Sequence, residues 1–356
     1  MSLFKASKPL IYKLDPEKAH NTAISLLKRN LVPSQTQYLH PNLESTILGL
    51  DFKHPVGLAA GFDKNAEAIP ALFNQGFSFI EAGTVTPIAQ DGNDKPRLFR
   101  LEDDEAIINR MGFNNKGIEY FHRNIKKAKL KSRKSIIGAN IGKNKNSPND
   151  ASDYLTLLDK IYGDSDYITI NISSPNTPNL RQLQKKETLE ELLKEITDKK
   201  KELSDNLEKN IPILLKIAPD LNKNDCNDIV NAVMKYDISG IIVSNTTISR
   251  PESLKNNNKN EQGGLSGKPV FDLSTETLKE IYKLSGGNIP LIGVGGIFNG
   301  FDAYKKIKSG ASLIQIYSCL IYEGFEAINK INKELSELLE KDGFANISEV
   351  IGSDIS

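Results

Sequence analysis

Apolar residues recur along the chain in short, nearly unbroken runs separated by longer polar stretches of helical period. The runs are VGLAA (56–60), FSFIEAGTV (77–85), SIIGANI (135–141), YITINI (167–172), IPILLKIA (211–218), GIIVSN (240–245), IPLIGVGG (289–296) and SLIQIYS (312–318). Rich in β-branched residues and only five to nine residues long, they read as strands buried on both faces. Stretches such as KKETLEELLKEITDKKKEL (185–203) separate them and repeat leucine and isoleucine at helical spacing. Eight strands alternating with helices predict a parallel sheet closed as a (β/α)8 TIM barrel. A doubly wound open sheet is the alternative, but its glycine fingerprint belongs in the first strand–helix turn. Here GVGGIFNG comes late, at 293–300, and Phe298 stands where the final glycine is required.

Ahead of the first strand the pattern changes. Asp15-Pro16 reads as a helix cap followed by proline at the first helical position. Ala19, Ala23, Leu26, Leu27 and Leu31 follow at helical spacing, and a second apolar set, Leu3, Phe4, Leu10, Ile11 and Tyr12, precedes them. Residues 1–40 carry six basic side chains (Lys5, Lys8, Lys13, Lys18, Lys28, Arg29) and two acidic ones (Asp15, Glu17), a net +4, while the remainder is −3. The chain is therefore divided into a small amphipathic helical extension, 1–40, and a barrel, 41–356. Two placements of the extension follow: a helix packed on the barrel floor, or a cationic patch lying on anionic lipid.

Composition narrows the field. With 46 basic and 45 acidic residues the net charge is +1, which argues against a nucleic-acid partner. Cys226 and Cys319 are too few and too far apart for a disulfide framework or a zinc site, and His20, His40, His54 and His122 are scattered, so no metal is expected. No apolar run reaches the ~18 residues of a spanning helix. The opening MSLFKASKPLIYKL lacks the apolar stretch of a secretory signal, which points to a reducing compartment.

A barrel places its chemistry at the C-terminal ends of its strands. Those ends are polar: Asp63-Lys64, Thr84, Asn140, Asn171, Lys216, Ser244-Asn245, Gly295-Gly296 and Tyr317-Ser318. Long insertions follow the second, fourth and sixth strands, where a lid or pocket wall would be built. Lys216 interrupts a buried run, so its ammonium requires an anionic partner in the barrel mouth. Asn171 shares a strand face with Thr169 and is either a ligand-binding amide or an internal polar bridge. The late glycines 293, 295 and 296, with the turn after Tyr317-Ser318, fall where barrels bind phosphate.

At these positions the chain resembles the dihydroorotate dehydrogenase family nearly end to end. GLAAGFDKN (57–65), FIEAGTVTP (79–87), NRMGFNN (109–115), IGANIGKNK (137–145), NISSPNTPNLR (171–181), ILLKIAPD (213–220), VSNTT (243–247), GGLSGKPV (263–270), GVGGI (293–297) and IQIYS (314–318) carry the likeness. The resemblance implies a flavin mononucleotide (FMN) barrel enzyme that oxidises (S)-dihydroorotate to orotate in de novo pyrimidine (UMP) synthesis. The serine of NISSPN and the extension containing DPEKAH (15–20) resemble the membrane-associated, quinone-using branch, peripheral on the cytoplasmic side of the cell membrane. Neither cysteine occupies the base position of the other branch.

Carried over residue by residue, the resemblance assigns the flavin to Ala60, Gly61, Phe62, Asp63, Lys64, Thr84, Asn140, Asn171, Lys216, Ser244, Gly267, Gly296, Tyr317 and Ser318. At Ser244 the family often has threonine, and either hydroxyl can donate. It assigns the substrate to Lys64, Asn109, Arg110, Met111, Gly112, Phe113, Asn171, Asn176, Asn245 and Thr246. Ser174 is the implied base, with Thr177 and Phe113 around it. The chemistry suits these types: dihydroorotate is a carboxylate on a ring of alternating N–H and C=O groups, and asparagine offers both a donor and an acceptor. A flavin barrel acting on RNA would need a basic face and a catalytic cysteine, and neither is evident. A flavin-free phosphate-sugar barrel would explain the glycines but not the asparagines, and a non-catalytic scaffold has no use for Lys216.

Overall fold

The computed structural model describes residues 3–132, 134–147 and 149–355. Met1, Ser2, Arg133, Pro148 and Ser356, which the two expected segments take in, lie outside the described residues. Eight parallel strands close a barrel: β1 (Val56–Leu58), β2 (Phe79–Val85), β3 (Ile136–Ile141), β4 (Tyr167–Asn171), β5 (Ile213–Ile217), β6 (Gly240–Val243), β7 (Leu291–Val294) and β8 (Leu313–Ile316). Each pairs with its neighbours in sequence, and β8 closes on β1 with Ile314 opposite Val56. Helices return the chain between strands, as at Lys186–Leu207, whose Leu189, Leu192, Leu193 and Ile196 are buried against the barrel. The eight apolar runs are these strands, so the (β/α)8 expectation is met.

The barrel floor is closed by a hairpin that the sequence pattern did not reveal. Strands Ser45–Ile47 and Leu50–Phe52 pair antiparallel across a two-residue turn, Leu48-Gly49, both at positive φ (58° and 75°). Phe52 meets Phe79 edge to face at 5.2 Å, and the plug continues through Ile136, Tyr167, Leu214, Ile242 and Ile292. Several of these residues begin their strands, which identifies this end as the floor.

The helices of the N-terminal extension therefore do not pack on the floor, which overturns that placement. Helices α1 (Leu3–Tyr12) and α2 (Pro16–Lys28) sit at the opposite end, beside the barrel mouth. Asp15 caps α2 by accepting from the Lys18 N–H at 3.0 Å. Lys8 Nζ donates to the Tyr322 carbonyl at 3.0 Å, and Arg100 donates to the carbonyls of Tyr12 and Leu14. Gly324 lets α1 approach, because a Cβ there would lie 2.6 Å from the Phe4 ring. The physical reason for the location is that the floor is already filled, while the mouth leaves Leu320, Ile321 and Phe325 to be covered.

The insertions after β2 and β6 form a second sheet above the mouth. Strand Ala106–Asn109 pairs antiparallel with Leu98–Leu101 on one side and Gly264–Gly267 on the other. Four-residue strands without clear alternation gave no signal in the sequence.

Candidate active site

Between the C-terminal ends of the strands and this second sheet lies a cavity. Lys64, Thr84, Asn171, Lys216, Ser244, Asn245, Thr246 and Gly296 from the strand ends line it. Asn109, Met111, Gly112 and Phe113, Ser174 and Asn176, Gly267, Ala60, Gly61, Tyr317 and Ser318, all expected, line it as well. Four expected ligand residues stand outside this lining. Asp63 turns inward and accepts from the Glu67 and Ala68 N–H groups (2.8 and 2.7 Å); burial raises its pKa to about 6. Phe62 packs between His20 and Tyr317 on the far side of the wall. Arg110 is drawn outward by Glu261 at 2.7 Å and stacks over Phe99. Asn140 lies fully buried behind Thr84 and Asn171, bonded to both.

Lys216 is satisfied differently from what its sequence setting implied. Its ammonium faces the carboxylate of Glu81 at 3.6 Å inside the barrel, so the anionic partner is a protein side chain on β2. Glu81, fully buried, also accepts from Asn140 (2.7 Å), Gln315 (2.9 Å), Thr169 (3.1 Å) and Tyr167 (3.2 Å). The result is a buried network that holds one cation at the cavity wall. Glu81 and Gln315 were missed. Each interrupts an apolar run as Lys216 does, so the same signal was there to be read.

Lys64 makes no ion pair among the described residues, and burial lowers its pKa to about 8. It lines the cavity as a cation awaiting an anion. The asparagines form a lattice: Asn245 Nδ2 donates to Ser173 Oγ (3.0 Å) and Asn171 Oδ1 (3.3 Å), and Asn176 Nδ2 donates to Asn109 O (3.0 Å). Asn93 Nδ2 donates to the Asn176 and Arg110 carbonyls, each at 3.1 Å, joining the two substrate segments. Arg181, at the end of NISSPNTPNLR, braces the loop by donating to Ser173 O (3.0 Å), Thr246 O (2.8 Å) and Asp220 (2.8 Å).

Ser174 is buried, and its Oγ accepts from the Asn176 N–H at 3.3 Å, leaving the hydroxyl proton free to point into the cavity. Thr246 Oγ1 lines the cavity without a partner among the described residues, as a ligand-binding hydroxyl would; Thr177 Oγ1 is buried and unpaired too but lies outside the lining. Phe113 is held at φ 53°, a conformation costly for an aromatic residue. Gln90 and Asn115 hold it there by donating to its carbonyl (3.2 and 2.7 Å). Burial pushes the thiols of Cys226 and Cys319 up to about 11 and 12, away from any thiolate role.

Gly267 (φ 99°), at the end of a second-sheet strand, and Gly295 (φ 111°) and Gly296 (φ 75°), after β7, bring backbone to the cavity surface. A Cβ on Gly267 would lie 2.3 Å from Glu105 O, and one on Gly296 2.4 Å from Phe271 Cβ. Only glycine fits against this packing, and the turn presents its backbone to the cavity, as a phosphate-binding turn does. With Lys64 and Lys216 on its wall, the Thr246 hydroxyl unpaired and this glycine cradle, the residues fit a phosphorylated, ring-bearing cofactor.

A second, apolar cavity lies under α1 and α2, lined by Phe4, Ile11, Ala19, Ala23, Leu26, Val32, Leu320 and Phe325 among others. It shares His20, Leu98, Ile107, Tyr317 and Ile321 with the first, so these residues form the partition between them. His20 stands edge to face with Phe62 at 5.3 Å and 6.5 Å from Tyr317. Burial, reinforced by Lys64, drives its pKa down to about 3, so the partition is neutral there.

A parallel barrel with a polar, glycine-cradled mouth places the chain among the (β/α)8-barrel enzymes. The dihydroorotate dehydrogenase family matches residues 42–339. Among similar proteins, the dihydroorotate dehydrogenase (quinone) of Xanthobacter autotrophicus is 46% identical over 356 residues, covering 100% of each chain. The mitochondrial dihydroorotate dehydrogenase (quinone) of Oryza sativa subsp. japonica is 43% identical over 99% of this chain and 81% of its own. A crystal structure of DHODH from Eimeria tenella in complex with ferulenol superposes with a TM-score of 0.92 at 38% identity, covering 97% of this chain and 98% of that one. The chain belongs to the dihydroorotate dehydrogenase family, whose members are flavin-dependent.

Proposed function

We infer that the two cavities divide one reaction between them. The chain oxidises dihydroorotate to orotate in pyrimidine biosynthesis and passes the electrons to a quinone. The flavin is FMN, bound at the barrel mouth with its phosphate on the Gly267 and Gly295–Gly296 turns. When bound, it supplies a two-electron acceptor for the hydride leaving C6 of the substrate.

The remaining chemistry falls to side chains. Lys64 neutralises the substrate carboxylate, and Asn109, Asn171, Asn176 and Asn245 read the alternating donors and acceptors of the ring. Ser174 removes the C5 proton; Thr177, with its hydroxyl unpaired, assists the proton's exit. Lys216 holds positive charge at the wall and stabilises electron density arriving nearby. Loss of one proton and one hydride balances the conversion to orotate.

Residues 1–40 form the quinone entrance, and the apolar cavity beneath them is the observation that carries this reading. Leu10 (68% exposed) and Leu31 (62% exposed) flank it with the basic residues of the extension, which supports peripheral docking on an anionic, cytoplasmic leaflet. Among the described residues no helix is long and apolar enough to cross a membrane. Steady-state turnover with dihydroorotate tests the reading, comparing a quinone, fumarate and a nicotinamide cofactor as oxidant. Quinone should be strongly preferred, and heat-denatured protein should release FMN near one equivalent per chain. Preference for fumarate or nicotinamide would reject it.

A further inference from the structure

Lys306 is a fully buried lysine that the reaction as described does not use. It lies on the helix Gly300–Lys308, and its Nζ donates to Ser274 Oγ at 2.6 Å and reaches the Phe271 carbonyl at 3.5 Å. It makes no ion pair among the described residues. Asp272 and Asp302 are the acids whose field it feels. Asp272 is exposed, and Asp302 is engaged by the Phe298 N–H at 2.9 Å. Burial accordingly pushes the Lys306 pKa well below its ordinary value. An amine in this position is costly unless an anion completes it.

The partners of Lys306 lead directly to the glycine cradle. Ser274 Oγ lies within hydrogen-bond reach of the Gly295 carbonyl (3.3 Å) as well as that of Phe271 (3.1 Å). A Cβ on Gly295 would stand 2.8 Å from Ser274 Oγ, and one on Gly296 would stand 2.8 Å from the Phe271 nitrogen. Lys306, Ser274 and Phe271 thus form the layer directly behind the turn, while the turn's other face lines the cavity. A phosphate on the far face of the turn would favour the protonated amine, and a positive charge in such an interior is poorly screened across one layer of backbone.

We propose that Lys306 is a positioning residue for the cofactor phosphate, a buried cation that fixes the Gly295–Gly296 turn through Ser274 and lends its charge to a bound phosphomonoester. The inference rests on the assignment of the phosphate to this turn. It explains why a lysine, and not an apolar residue of equal length, fills the space.

The test uses full-length enzyme stripped of flavin and refilled by titration with FMN or with riboflavin, which lacks the phosphate, followed by quenching of flavin fluorescence. Wild-type protein should bind FMN far more tightly than riboflavin. Lys306→Met should weaken FMN roughly ten- to a hundredfold, the worth of one charged interaction, while riboflavin affinity changes by less than about twofold. Ser274→Ala, which removes one oxygen and keeps the amine buried, should give a smaller loss with the same selectivity. It carries the test if Lys306→Met fails to fold. Equal weakening of both flavins, or no weakening, would overturn the role of Lys306 while leaving the phosphate assignment intact. A wild-type protein with no preference for FMN would overturn the assignment and the inference together.

Discussion

Glu81 and Lys216 face each other inside the barrel, 3.6 Å apart, from strands three places removed around the wall. Neither charge is tolerable alone at that depth. Lys216→Met should therefore destabilise the protein by about 3–5 kcal/mol and release flavin, because Glu81 is left uncompensated. The double variant Lys216→Met/Glu81→Gln should recover much of the stability but not the rate of flavin reduction. Denaturant unfolding of both variants checks this; additive losses would show that the two residues are not coupled.

Ser174→Ala should retain flavin and bind orotate, yet slow reduction of the flavin by dihydroorotate ~10²–10⁴-fold, the usual worth of a positioned proton transfer. Rapid mixing under anaerobic conditions isolates this step. A near-normal rate would move the base elsewhere.

Lys64 should make anion binding pH-dependent. Its burial-lowered pKa of about 8 means the free enzyme loses this cation as pH rises through that value. Orotate affinity should fall above about pH 8, and Lys64→Met should flatten the dependence at a uniformly weak level. Unchanged wild-type affinity up to pH 9.5, roughly 1.5 units beyond that value, would contradict the assignment.

Glu67 anchors α2 to the barrel, taking hydrogen bonds from Lys28 (2.9 Å), Lys116 (3.1 Å) and Tyr120 (2.6 Å). Burial alone would raise its pKa, but these donors outweigh burial and bring it from 4.5 to about 2. A depressed carboxylate stabilises the fold fully above its unfolded pKa and loses that contribution as pH falls through the folded one. The stability gap between wild type and Glu67→Gln should thus be constant at neutral pH and shrink between pH 4.5 and about 2. A gap that widens in acid would reverse the sign and refute the anchor.

Leu10→Glu replaces a leucine that is 68% exposed and lines neither cavity. Binding to anionic vesicles should weaken several-fold, with turnover of a short, water-soluble quinone kept near wild type. Equal vesicle binding by the variant would locate the membrane contact elsewhere on the surface.

The eight strands were legible because burial on both faces forces apolar runs of strand length. Lys216 was legible for the complementary reason, that a charge in such a run must be answered. Its answer was not, because Glu81 lies 135 residues away and only closure of the barrel brings the two together. The same limit hid Arg97, whose Nη2 holds Glu17 of α2 at 2.7 Å and whose Nη1 holds the Asn93 carbonyl. The floor hairpin escaped because its three-residue strands carry too little pattern, and its turn places a leucine where asparagine or glycine is usual.

His20 and Tyr317 leave the two cavities back to back, the one lined by asparagines and lysines and the other mostly apolar. On the proposed division, electrons cross this partition while neither substrate does. The supply of nucleotide bases then becomes hostage to the oxidation state of a membrane pool. A cell whose respiratory chain stalls would stop making pyrimidines even with dihydroorotate in abundance. The few aromatic rings between the two chambers are where growth and respiration are tied together.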